Sequence, residues 1–239
     1  MKIEGLTVCV DFADYLAATL PRWAKSLDQV VVVTAPRDQA TQHFTRRFDN
    51  VLTVTTDVFW DRGADFNKGA GLNVGLAECH ATEWVLAFDV DVLPPWDWRD
   101  TFVQAEPKRG ILYGAKRAQT EFTTRGWVPD DWSDLPILGD RQVAGYFQLF
   151  HGDDPEARSR PLFEDDWRHA GNYDTSFQDR WGAGSRMDRK IFLPLVLAHL
   201  GLPQVNWYGV RPDALDKLAH HREERRKRAG RYDHERIQD

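Results

Sequence analysis

At the start of the chain the apolar positions switch between short continuous runs and a helical period. Leu6 to Val10 reads as a short strand, and Phe12 to Lys25 as a helix whose apolar positions recur at helical spacing. Gln29 to Thr34, QVVVVT, is the clearest buried strand. Ala35 to Asp38 is then a turn, with Pro36 suited to opening a helix that runs to about Arg47. Val51 to Thr55 reads as a third strand, Lys68 to Ala81 as a helix, and Glu83 to Phe88 as a fourth strand.

Strands that alternate with helices and are apolar almost throughout predict an α/β fold with a mostly parallel central sheet covered on both faces. Ligands of such folds bind beyond the carboxyl ends of the strands. Asp11, the Thr34 to Asp38 turn and the Asp89 to Asp91 stretch all fall at predicted strand ends, so they should gather on one rim of the sheet.

After Asp91 the rhythm breaks. Gly110 to Ala115 and Val143 to His151 read as strands, separated by a polar stretch, Gln119 to Arg141, rich in Trp, Pro and Asp. Connections of that length are usually functional or mobile. Its Trp127 and Trp132 either close over a substrate or pin the loop to the body. Ile191 to Ala198 is a further apolar stretch ending at His199, and Pro212 to about Lys227 reads as a charged helix.

Composition narrows the class. The 239 residues, 42% hydrophobic with 13 Phe and 10 Trp, suit one substantial core and exclude a disordered chain. A net charge of −6 gives no overall attraction for nucleic acid, although Arg211 to Arg231 holds eight Lys/Arg against four Asp/Glu. With two cysteines, Cys9 and Cys79, a disulfide framework and a cysteine-based zinc site are ruled out as organising features. The N-terminal run is broken by Asp11 and Asp14, unlike a signal peptide, and no stretch is long and apolar enough to span a membrane. The two thiols are expected to be free and buried in a reducing compartment, and the expected location is cytoplasmic, in a bacterial or virus-infected host cell.

The candidate chemistry centres on WVLAFDVDVLPPW, residues 84 to 96. A strand end puts Asp89 and Asp91 side by side with Val90 turned away, where two carboxylates repel unless a cation or a proton intervenes. Hard oxygen ligands favour Mg²⁺ or Mn²⁺, ions that leave places for phosphate oxygens. Asn67 and Lys68 open a helix whose free N–H groups suit an anion, and His199 is a third candidate metal ligand from far away in sequence.

The stretch FNKGAGLNVGLAECHATEWVLAFDVDVLPP, 66 to 95, resembles nucleotide-sugar-dependent glycosyltransferases of the GT-A fold, including the group-2 and galactosyltransferase-like branches. VVVVTAPRD and VLAHLG extend a weaker similarity. The resemblance implies a Rossmann-like sheet flanked by helices with a less regular acceptor-side C-terminal part. It implies one catalytic domain over about 1 to 210, a donor half to about 95 and an acceptor half beyond it, followed by a charged helix and tail over 211 to 239. Asp11, Thr34 and Asp38 would hold the uracil and ribose of a UDP-sugar, Asn67 and Lys68 would approach its diphosphate, and Asp89, Asp91 and His199 would bind Mn²⁺ or Mg²⁺. Gly145 would lie beneath the sugar, with Gln148 or His151 on a sugar hydroxyl. For an inverting transfer the base would be Asp179, with Asp174 second and Glu164 to Asp166 third. The acceptor candidates are a saccharide or hydroxymethylated DNA guided by the basic HHREERRKRAGR, 220 to 231; no residue assigns an oligomeric state.

Three rival readings stand beside this one. DVDVL resembles the opening motif of haloacid-dehalogenase-like phosphatases, though it follows three predicted strands here instead of ending the first. A nucleotidyltransferase acting on a sugar phosphate would use a metal at the same rim, but Asp11 to Asp14 stands where a glycine-rich triphosphate loop is expected. A non-enzymatic nucleic-acid-binding protein would use the basic C-terminal helix.

Overall fold

The computed structural model describes residues 1–80, 83–120, 132, 134–138, 142–171, 173–182 and 188–200. Its elements run β1 (Ile3–Val8), α1 (Ala13–Ser26), β2 (Gln29–Thr34), α2 (Gln39–Thr45), β3 (Val51–Thr55), a 3-10 turn (Val58–Gly63), α3 (Lys68–Glu78) and β4 (Trp84–Phe88). There follow β5 (Val92–Leu93), α4 (Trp98–Gln104), β6 (Leu112–Gln119), β7 (Ile137–Leu138), β8 (Phe147–His151), α5 (Pro155–Arg158), α6 (Tyr173–Asp179) and β9 (Lys190–His199). Trp127, most of the polar stretch from 119 to 141, and the charged helix and basic segment beyond 210 lie outside the described residues.

Among the described residues nine strands form one sheet in the order β3-β2-β1-β4-β8-β6-β9-β5, with β7 on β6. The first four strands are parallel. Beyond β4 the sheet is mixed: β8 runs antiparallel to β4 and β6, while β9 is parallel to β6 and antiparallel to β5. This is the expected central sheet flanked by helices, with parallel pairing concentrated in its first half.

The apolar runs of the strands feed two cores, one on each face. Val30 and Val32 join Leu16, Leu20 and Trp23 of α1 on one face, and Val31 and Val33 join Leu72 and Leu76 of α3 on the other. Alternate residues of one strand therefore point to opposite layers, so every position of β2 after its first is buried. Trp98 and Phe102 of α4 extend the first core; Tyr173 and Phe177 of α6 extend the second.

Several boundaries moved. β1 begins at Ile3 because Ile3 pairs with Trp84. α2 starts at Gln39, capped by the Asp38 side chain, which leaves Pro36 in the preceding turn. α3 stops at Glu78, where Cys79 turns extended. β8 starts only at Phe147, whose N–H closes a turn on the Ala144 carbonyl at 3.2 Å. Cys9 and Cys79 are buried free thiols, each pushed up to about 12 by burial. Among the described residues no helix is long and apolar enough to cross a membrane.

Candidate functional site

The chain runs outward from β1 through β2 to β3, then returns to the other side of β1 as β4. That reversal makes the carboxyl ends of β1 and β4 a topological switch point, the place where open α/β sheets bind ligands. Residues 9–12 leave β1 there, and Asp89 leaves β4 beside them.

At the end of β1, Asp11 adopts a left-handed backbone with φ 62°, a conformation that costs an ordinary residue free energy and persists only when its surroundings enforce it. The enforcing group is Asp38. Its carboxylate accepts from Asp11 N–H at 2.8 Å, the Thr34 hydroxyl at 3.2 Å and Thr41 N–H at 3.0 Å. The three residues do come together, but Thr34 and Asp38 are buried and spent on this knot. The side chain that reaches solvent is Asp11, paired at 3.1 Å with Arg37, whose guanidinium lies 4.6 Å from the centre of the Trp60 ring. Sequence reasoning missed Arg37 and Trp60; neither has a helical or strand period to mark it.

Asn67 caps α3, accepting from Ala70 N–H at 3.0 Å, and is itself buried. Its amide also donates to the Asp165 carbonyl, while a Cβ on Gly69 would come within 2.1 Å of the Glu164 carbonyl oxygen. The 164–168 segment is thus a wall against the start of α3. The next residue, Lys68, bonds through Nζ to Asp89 and lies 5.1 Å from the centre of the Tyr173 ring. It is no solvated helix-start lysine. Burial works to lower its pKa, but the Asp89 carboxylate and the Tyr173 hydroxyl outweigh burial and hold it above the usual lysine range.

Asp89 to Asp91 carry the chain from beside β8 to beside β9. There Val92 pairs with His199, and Leu200 N–H donates to the Asp91 carbonyl at 2.7 Å. The register sets His199 Nε2 3.5 Å from Asp91 Oδ2, both side chains nearly buried at 9% and 6% exposure. Helix α1 grips the same segment from below. Thr19 donates to the Val90 carbonyl at 2.7 Å, Trp23 Nε1 to Val92 at 2.9 Å and Arg22 to Pro94 at 3.2 Å. Spacings of three and four put these donors on one helix face, and alternate carbonyls of a strand-like segment meet them.

The donor set of two carboxylates and an imidazole suits a hard divalent ion in kind. His199 Nδ1 is buried without a hydrogen-bond partner, an acceptor or donor left available by the fold. Asp91 and His199 are together; Asp89, however, faces Lys68. Among the described residues no group of three or more His, Cys, Asp or Glu side chains is gathered to hold a metal. In chemical kind the three side chains suit such an ion, but as they stand Asp89 is held by Lys68 and only Asp91 and His199 are paired.

Gly145 and Asp174 also meet at this rim. Asp174 accepts from Gly145 N–H at 3.0 Å and from Thr175 N–H at 2.9 Å. Its carboxyl is pushed up by burial, with the Gly145 hydrogen bond opposing and nearby Asp89 adding to the rise. Gln148 is fully buried and donates to the Val143 and Asp174 carbonyls at 2.9 and 3.2 Å, so it braces the strand instead of facing a sugar. His151 is corrected outright: β8 runs antiparallel to β4, which pairs His151 with Trp84 at the opposite rim. Asp179 ends α6 away from Asp89 and acts on Lys190, at the start of β9, where burial lowers the Lys190 pKa and Asp179 partly restores it. Trp132 is a pin, buried with its Nε1 donating to the Val196 carbonyl at 2.8 Å.

No protein-family model matches the chain, and no curated protein matches it. Solved structures do. TarS of S. aureus is similar with a TM-score of 0.57 and 13% identity over 85% of this chain, which spans only 37% of TarS. HddC from Yersinia pseudotuberculosis is similar with a TM-score of 0.52 and 8% identity, over 84% of this chain and 95% of that one. At these identities the likeness is one of fold alone, a helix-flanked α/β sheet.

Proposed function

We propose that this protein is a nucleotide-dependent transferase that moves a sugar from a nucleoside diphosphate sugar, UDP-linked in the first instance, to an acceptor hydroxyl. The observation that carries the reading is a pair of ion pairs where the chain leaves β4 at the switch point, Lys68 on Asp89 and, two residues on, His199 beside Asp91. Asp11, held in its left-handed conformation, and Arg37 face the nucleoside side, and Trp60 offers a ring beside them. Asp89, Asp91 and His199 would hold Mn²⁺ or Mg²⁺, which when bound supplies positive charge to the departing diphosphate. Lys68 adds a second cation there.

In an inverting displacement the acceptor oxygen forms a bond to the anomeric carbon as the bond from that carbon to the diphosphate oxygen breaks. The nucleoside diphosphate leaves with the electron pair, and the acceptor proton passes to a carboxylate. Asp174 is better placed for that proton than Asp179, the favoured base on sequence grounds. It adjoins the Lys68 and Asp89 cluster, its raised pKa suits proton uptake, and each oxygen keeps a lone pair beyond its backbone bond. Asp174→Asn is expected to lower kcat about 10²-fold or more, and Asp179→Asn to stay within about threefold of wild type. Equal losses in both variants, measured as steady-state kcat, would refute the assignment.

The second reading is nucleotidyl transfer onto a sugar phosphate. Fold likeness supports it at least as well as glycosyl transfer; the acidic Asp11 to Asp14 link after β1, without a glycine run, weighs against it. The deciding experiment incubates the protein with Mn²⁺ and either separate nucleotide sugars or nucleoside triphosphates with sugar 1-phosphates, and follows products by mass spectrometry. Nucleoside diphosphate release is expected. Pyrophosphate release would establish the second reading, and turnover of neither set would overturn both.

A further inference from the structure

Two carboxylates at one strand end call for a cation, and the fold already supplies one to Asp89. The Lys68 side chain is 12% exposed and that of Asp89 27%, and they are bonded directly. Beneath the ammonium lies the buried ring of Tyr173, within the range of a cation–π contact. Tyr173 in turn occupies space that only a glycine leaves: a Cβ on Gly145 would come within 2.3 Å of the Tyr173 hydroxyl oxygen. Gly145 admits Tyr173, and Tyr173 seats Lys68.

We propose that Tyr173 is a positioning residue that parks the Lys68 ammonium on Asp89 as an internal counter-ion, and that a divalent ion and this ammonium compete for that carboxylate. The inference deepens the functional reading above and rests on it. Asp91 and His199 are already paired with each other, so Asp89 is the ligand whose release completes the set. An ion arriving alone must break a largely desolvated pair before Asp89 can turn to it. The resident ammonium therefore lowers the affinity for bare metal, and anything that unseats it raises that affinity. No covalent bond changes; the carboxylate exchanges one cation for another.

The test titrates Mn²⁺ alone into the full chain and reads free Mn²⁺ by electron paramagnetic resonance, with melting curves to confirm that each variant is folded. Lys68→Met and Lys68→Gln are expected to bind Mn²⁺ about tenfold more tightly than wild type. Tyr173→Leu, which removes the ring, should tighten binding about threefold, with Tyr173→Phe between it and wild type. Asp89→Asn should weaken binding in every background. A residue that merely supports packing would loosen the site and weaken binding, so the direction of change separates positioning from structure. If both Lys68 variants bind no more tightly than wild type while Asp89→Asn still weakens binding, the exchange is overturned and the metal reading stands. If no variant shows Mn²⁺ binding that depends on Asp89, both fall.

Discussion

Asp89→Asn and Asp91→Ala are each expected to lower turnover about 10³-fold or more while the protein remains folded. Both carboxylates follow the carboxyl end of a fully buried strand, Asp89 part-exposed and Asp91 buried beside His199. Asp89 is part-exposed, so the loss of its pair with Lys68 is softened by solvent and by the amide that replaces it. Asp91→Ala also strips His199 of its partner at 3.5 Å. A stability cost of about 1–2 kcal/mol follows, equivalent to a fall in Tm of roughly 3–6 °C in a chain of this size. Product release assayed beside circular dichroism melting checks both halves of the statement. Full turnover in both variants would remove the acid pair from the mechanism.

Trp23→Ala is expected to produce the largest loss of stability, about 4 kcal/mol, read as a drop in Tm of roughly 10 °C. The side chain is fully buried, with its ring centre 4.5 Å from Phe88 and 5.5 Å from Trp98. Its Nε1 bond to the Val92 carbonyl ties α1 to the segment that follows the acid pair. Truncation leaves a cavity beneath that segment and an unsatisfied carbonyl. Trp23→Phe keeps most of the ring and loses the bond, so about 1–2 kcal/mol is expected. Denaturant unfolding that places Trp23→Ala within about 1 kcal/mol of wild type would contradict the packing argument.

QVVVVT was readable to the residue as β2, because a run of β-branched residues buried on both faces of a sheet has no other use. VLTVT was readable as β3 through its β-branched residues alone, since this edge strand is only partly buried. The strands after Asp91 were readable only in outline. Leu112–Gln119 runs past its predicted end because it pairs with β9 along its length, and residues 143 to 146 leave the strand because a turn claims them. Neither fact is local.

The same division holds in the site. The gathering of Asp11, Thr34, Asp38, Asp89 and Asp91 at one rim was legible, since parallel strands put all their carboxyl ends together. Which of them face outward was not, because the Asp38 knot depends on a hydrogen bond reaching back 27 residues to Asp11. His151 was misplaced because a strand's residues do not announce its direction; pairing of Trp84 with His151 decides it.

The amino-acid order by itself determined where strands and helices alternate, which stretches are buried, and that acids end the strands, because side-chain periodicity and strand length act within a few residues of themselves. Tertiary structure alone decided the rest: Lys68 on Asp89, Tyr173 under Lys68, His199 beside Asp91, and Asp174 instead of Asp179 near them. Those partners lie far apart along the chain, and only sheet register and helix packing set the distances on which their electrostatics depends.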